Sequence, residues 1–233
     1  MEDLTGIIHN NYALIQQRIN AACMRSDRSI ESVTFVAVTK YARMEWVKAL
    51  VDLGCTHFGE SRTPQLDERS TQLPDQLHWH FIGPLQRNKI RRTIKHSSLV
   101  HSVDSLKLLT AIGRIAAESG LHPHVLIEVN LSREQNKKGF APEDVLTNWN
   151  KFCEVPHVMI DGLMTMAPHS EDPETARPVF RELSQLRDKL QTISPPHIQL
   201  KELSMGMSGD FEIGIEEGST LVRIGSALHT GLN

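Results

Sequence analysis

The stretch "VTFVAVTKYA" (Val33–Ala42) decides how the chain is read. Phe35, Val36, Ala37 and Val38 form an unbroken apolar run, as in a strand covered on both faces. Two residues later stands Lys40, an ammonium group at the end of a buried strand. A strand of this kind belongs to a parallel sheet packed between helices, so the rest of the chain should alternate strands with amphipathic helices.

It does. After the run at 32–39 come "HFGE" (57–60), "HWHFIGPL" (78–85), "LVHSVDS" (99–105), "HVLIEVNL" (124–131), "MIDGLMTM" (159–166), "LKELSMG" (200–206) and "LVRIGSAL" (221–228). Helical patterns separate them. Trp46, Val47, Leu50 and Leu53 share one face, Asp104 is placed to cap a helix running to Ser119, and Pro142 suits a first turn. Residues 172–191 read as a helix with Pro173 in its first turn and Pro178 as an irregularity, and Gly54, Gly120 and Gly218 stand where helices should stop. Eight strand–helix units in 233 residues point to the α/β class and one (β/α)8 TIM barrel spanning 1–233. An open doubly wound sheet is the rival arrangement. Ile8, Tyr12, Ile15 and Ile19 mark an extra N-terminal helix over 4–24, expected to plug the N-terminal end of the barrel.

Composition narrows the function classes. No apolar run reaches the roughly 18 residues of a membrane helix, and "MEDLTGIIHN" lacks the basic start of a secretion signal. Three scattered cysteines without a CxxC pair argue against a disulfide frame and for the cytoplasm. A net charge of -3 argues against a general nucleic-acid binder. Arg87, Arg91, Arg92 and Lys95 read as the solvated face of one helix. His78 and His80 point to the same side of a strand, but no third metal ligand is evident beside them. Met164, Met166, Met205 and Met207 read as gap-filling wall residues.

In a barrel of this kind the chemistry sits where strands run into helices. Those positions hold Lys40, Glu60, Ser61, Asn130, Met166, Ser204, Arg223, Gly225 and Ser226. A half-buried lysine with a cationic neighbour such as Arg223 has an amine available for an aldehyde, although a strand-end lysine can also simply snorkel to water. Lys89, Lys137 and Lys138 lie in polar surroundings and suit that chemistry less. Glu60 either orients Lys40 or pairs with it. "SMGMSGDFEIGIEEGS" (204–219) and "RIGSALHTG" (223–231) place small residues after strands seven and eight, the usual phosphate position of the fold. Ser204, Gly225 and Ser226 are the phosphate candidates. A lysine at strand one and a phosphate loop at the far rim suggest pyridoxal 5'-phosphate (PLP), an aldehyde that carries a phosphate.

With those residues in view, the chain resembles the PLP homeostasis proteins, which look like the barrel domain of alanine racemase standing alone. "VAVTK", "HFGE", "HWHFIG" with "LQRNK", "IDGLMTMAP", "LSMGMSGD" and "GSTLVRIGSAL" recur in matching order over about 4–231. The resemblance implies an internal aldimine on Lys40, phosphate contacts from Ser204, Gly225 and Ser226, and Arg223 facing the pyridine nitrogen. Departures from the usual pattern are Tyr41-Ala42-Arg43 after the lysine, Ser61 in place of an asparagine near the cofactor, Pro84 in place of a histidine, and the ending "ALHTG".

An arginine at the pyridine nitrogen offers only donors and leaves that nitrogen unprotonated, a weak electron sink. A two-base racemase also needs an acid–base group on the opposite face, which alanine racemase draws from a second domain. The chain ends at Asn233, and its tyrosines are Tyr12 and Tyr41. The expectation is a non-catalytic, monomeric PLP carrier acting in vitamin B6 homeostasis and amino-acid metabolism, with PLP-dependent apo-enzymes as partners. A residual amino-acid racemase, a Schiff-base aldolase-like enzyme and a ligand-free interaction barrel are the alternatives.

Overall fold

The structure, a computed structural model, describes residues 4–132 and 138–232. Helix α1 (Leu4–Arg25) leads into β1 (Thr34–Val38), α2 (Met44–Asp52), β2 (His57–Glu60), α3 (Thr63–Gln72) and β3 (His78–Phe81). Next come α4 (Ile90–His96), β4 (Leu99–Val103), α5 (Leu106–Ser119), β5 (His124–Glu128), α6 (Pro142–Cys153) and β6 (Met159–Met164). The chain finishes with α7 (Arg177–Ile193), β7 (Glu202–Met207), α8 (Phe211–Glu216) and β8 (Leu221–Ile224). All eight strands are parallel and adjacent in chain order, and β8 returns to pair with β1. Closure of the sheet excludes the open doubly wound alternative.

Side chains alternate between two cores because successive strand residues face opposite sides. Phe35, Phe58, Phe81, Val100 and Val125 face the helices, whereas Val36, Leu99, Leu126, Met164 and Leu221 pack together inside the barrel. Every expected strand is present, but several stop earlier than their apolar runs suggest. Leu85, Leu131 and Leu228 stay buried beyond the ends of β3, β5 and β8, so hydrophobicity continues into loops that have left the ladder.

Helix α1 does not plug the floor. It packs against α2 and α8 in the outer ring, where Asn11 donates to the carbonyls of Leu228 and Thr230 at 3.0 and 2.9 Å and Arg18 pairs with Glu212. The cause is the shortness of α8: six residues cannot cover the seam where β8 meets β1. Tyr12 lies 5.9 Å from Phe35 on that seam, ring centre to ring centre.

Two start signals also shift. Ser105, not Asp104, caps α5, accepting from the Leu108 amide at 3.3 Å. Residues 173–176 form a separate 3-10 turn, so α7 begins at Arg177 and Pro178 falls in its first turn, where a missing N–H leaves no bond unmade. Gly120 ends α5 in the left-handed conformation, as read from the sequence. Among the described residues no helix is long and apolar enough to cross a membrane.

Candidate functional site

Lys40 stands on a tight turn between β1 and α2, half-buried, with Nζ 5.2 Å from the centre of the Tyr41 ring. The turn is braced from below. Arg69, buried on α3, donates to the carbonyl of Thr39 at 2.7 Å and to that of Ala42 at 2.6 Å, clamping both ends of the segment that carries Lys40. Glu60 holds Arg69 in place by a close ion pair and accepts from the Thr39 hydroxyl at 2.5 Å. Glu60 therefore serves Lys40 through the backbone, with Arg69 as its ionic partner. Burial pushes the Glu60 carboxyl up, opposed by Thr39 and Arg69. Nothing in the residue pattern singled out Arg69, because an arginine in a polar helix reads as surface until its neighbours are known.

Arg223, on β8, points into the barrel at 5% exposure. Its Nη1 donates to Ser204 Oγ and its Nη2 to the Thr165 carbonyl at 3.0 Å. Burial lowers its pKa to about 10, while the carboxylates of Asp210 and Glu128 favour the charged form. Glu128 ends β5 and is itself buried; desolvation and the nearby Asp104 raise it to about 7, against Arg223 and Lys138. A charge inside "HVLIEVNL" is the visible sign of this residue in the sequence, although the strand-end position there belongs to Asn130.

Near the end of β7 the backbone bends at Gly206, whose φ of +93° suits glycine and where a Cβ would lie 2.8 Å from the Phe211 backbone. The turn brings Ser208 to the end of β8. There the amides of Gly225 and Ala227 both donate to Ser208 Oγ, each at 3.2 Å. Two convergent backbone N–H groups of this kind form a cradle for an anionic oxygen. At Gly225 space is tight, since a Cβ would stand 3.1 Å from that of Val38.

The sequence candidates thus divide. Lys40, Arg223, Gly225 and Ser226 lie at or beyond the C-terminal ends of β1 and β8, which are neighbours, and the half-buried Ser61 follows β2. Ser204 does not join the cradle. It pairs in register with Leu221 at the start of β8, is fully buried, and bonds to Arg223 and His101. Ser208, not Ser204, meets the amides of Gly225 and Ala227, although both serines stand in "LSMGMSG". Of the four methionines read as wall residues, Met164 and Met205 are buried, whereas Met166 and Met207 are exposed. Arg91 and Arg92 pair with Glu118 and Asp67 on the helix ring. Lys89 and Lys138 are exposed, and Lys137 lies outside the described residues.

Among the described residues no group of three or more side chains placed to hold a metal ion is found. His80 instead joins His57 and His101 across the barrel interior. His57 Nδ1 lies 2.9 Å from His80 Nε2, His80 Nδ1 2.8 Å from His101 Nε2, and His101 Nδ1 2.8 Å from Ser204 Oγ. Burial lowers His57 to about 4, helped by His78, and lowers His80 to about 3, helped by His57 and His78. It also holds His101 well below the usual range, with His80 and Arg223 adding to the effect.

Residues 8–232 match the family model described as alanine racemase, N-terminal domain. The pyridoxal phosphate homeostasis protein of Aquifex aeolicus is 39% identical over 215 residues, which span 92% of this chain and 93% of that relative. The chain belongs to the pyridoxal phosphate homeostasis protein family. The structure of PipY from Synechococcus elongatus with PLP bound is 33% identical, covers 92% of this chain and 99% of PipY, and superposes with a TM-score of 0.79. An alanine racemase from Clostridium difficile, 17% identical, matches with a TM-score of 0.76 over 98% of this chain and 56% of its own, which shows the shared barrel alone. Family and fold are those expected from the motifs at Lys40, Arg223 and Gly225.

Proposed function

We propose that the protein binds PLP at the C-terminal end of the barrel and acts as a carrier or regulator of the cofactor. The observation that carries this reading is the pair of amides of Gly225 and Ala227 aimed at one hydroxyl, on the strand that adjoins the one leading to Lys40. PLP-bound PipY and the relatives named for PLP homeostasis support it.

When bound, PLP supplies an aldehyde and a conjugated ring that accepts electrons. The residues of this chain suit each part. Lys40 would hold the aldehyde carbon through its amine. The Gly225 and Ala227 amides would donate to a phosphate oxygen, and the Ser208 hydroxyl would donate to it as well. Arg223 presents donors to the ring nitrogen and so keeps it unprotonated. Ser61, just past β2, would face the ring with a shorter side chain than an asparagine offers.

Holding rather than turnover is favoured by the placement of the tyrosines. Tyr12 packs outside the barrel against Phe35, and Tyr41 adjoins Lys40, so neither opposes Lys40 across a bound ring. The fit extends to delivery of PLP to apo-enzymes, in a cytoplasmic setting and as a monomer.

The test is spectroscopic. Protein mixed with PLP should develop a visible band that borohydride abolishes, leaving the cofactor fixed to the Lys40 peptide. A protein that stays colourless at saturating PLP, or a label on another lysine, would end this reading.

A further inference from the structure

The hydrogen-bond chain through the barrel has a direction. Arg223 can only donate, so Ser204 Oγ accepts from it. Among the described residues Ser204 Oγ has one other partner, His101 Nδ1. If that nitrogen carried a proton, the fully buried Ser204 hydroxyl would accept twice and its own hydrogen would have no acceptor, a loss that burial makes costly. Ser204 therefore donates to His101 Nδ1. A neutral His101 then carries its proton on Nε2 and donates to His80 Nδ1, and His80 in turn donates from Nε2 to His57 Nδ1. Each link sets the tautomer of the next. The chain ends at the N-terminal mouth of the barrel, where His57 is half-buried and stacks on the exposed His78 at 4.6 Å.

We infer that His57, His80, His101 and Ser204 are positioning residues that lock one tautomer order from the barrel floor to Arg223 and thereby fix the guanidinium presented to the ring nitrogen of the cofactor. Aligned hydrogen bonds in a dry interior polarise one another, so the order acts as a unit. Solvent at the floor thus has an ordered connection to a group at the opposite mouth. The link to the ring rests on the reading of Arg223 given above; the tautomer order itself does not.

The experiment uses full-length protein labelled with 15N in its histidines, without PLP and after PLP is added. In the unloaded protein, 15N spectra should show His57, His80 and His101 each as a single neutral tautomer with the proton on Nε2. Ser204→Ala removes the donor at the inner end and should turn His101 and the distant His57 into tautomer mixtures. Ser204→Thr, which keeps a hydroxyl, should restore the single forms. His57→Phe removes only the last acceptor, so His80 and His101 should keep their single forms in a folded barrel, whereas Ser204→Ala with PLP bound should shift the visible band. Mixed tautomers in the unsubstituted protein, a proton on His101 Nδ1, or a His57 that ignores Ser204→Ala would overturn the inference. Failure of PLP to bind while the tautomers respond as described would overturn the reading of the cofactor site instead. An unshifted band in Ser204→Ala with PLP bound would overturn the link to Arg223.

Discussion

Ser204 and Ser208 lie four positions apart and do different work. The Ser208 hydroxyl meets the two amides of the cradle, so Ser208→Ala should weaken PLP binding about fivefold, as expected for one hydrogen bond of about 1 kcal/mol. Inorganic phosphate, used as a competitor in a fluorescence titration, should weaken by the same factor, because the lost contact is to phosphate. Ser204→Ala should leave phosphate competition unchanged and alter the visible band through Arg223. Equal effects of the two substitutions on phosphate would refute the assignment. Catalysis can be tested at the same scale: with no tyrosine opposite Lys40, the PLP-loaded protein should exchange no deuterium at Cα of alanine beyond the rate of free PLP. Lys40 and Arg223 were legible in the sequence because a charge at the end of an apolar run is conspicuous. Ser208 was not, because two serines in one glycine-rich segment look alike until Gly206 turns the backbone.

At the scale of elements, the turn after β1 is held by α3 rather than by its own sequence. Arg69→Met should leave Glu60 buried without a cation, and loss of one partner of a buried pair costs about 3–5 kcal/mol. Urea denaturation should show that loss. The double variant Glu60→Gln with Arg69→Met should recover part of it, because no unpaired charge then remains. In both variants the carbonyls of Thr39 and Ala42 lose their donor, so borohydride capture of PLP on Lys40 should slow even where the barrel stays folded. Full recovery of capture in the double variant would mean that Arg69 acts through stability alone. The eight strands and most helices were readable from period and turn residues. The side of the barrel that α1 covers was not, since its apolar stripe fits a plug and an outer helix equally well, and the shortness of α8 decides between them.

At the scale of the molecule, the barrel holds three neutral histidines in its interior. The folded values of His57 and His80, about 4 and about 3, lie below that of an unfolded histidine, and His101 is depressed in the same direction. Between pH 6.5 and about 4 the unfolded chain therefore binds protons that the fold refuses, and stability falls as pH falls through that window. Glu128, raised to about 7, works in the opposite sense, since the folded state takes up its proton first. Glu128→Gln should therefore steepen the loss of stability below pH 7, read as the shift of the urea midpoint between pH 7 and 5. A shallower dependence in the variant would contradict the placement of Glu128 beside Asp104. The order of strands, the family and the lysine were determined by the sequence alone, because alternating burial and strand-end charges are local signals. The brace on Lys40, the cradle at Ser208 and the line of imidazoles were decided only by closure of the barrel. Closure brings β2, β3, β4, β7 and β8 to face one another across a shared interior, and no spacing along the chain encodes that proximity.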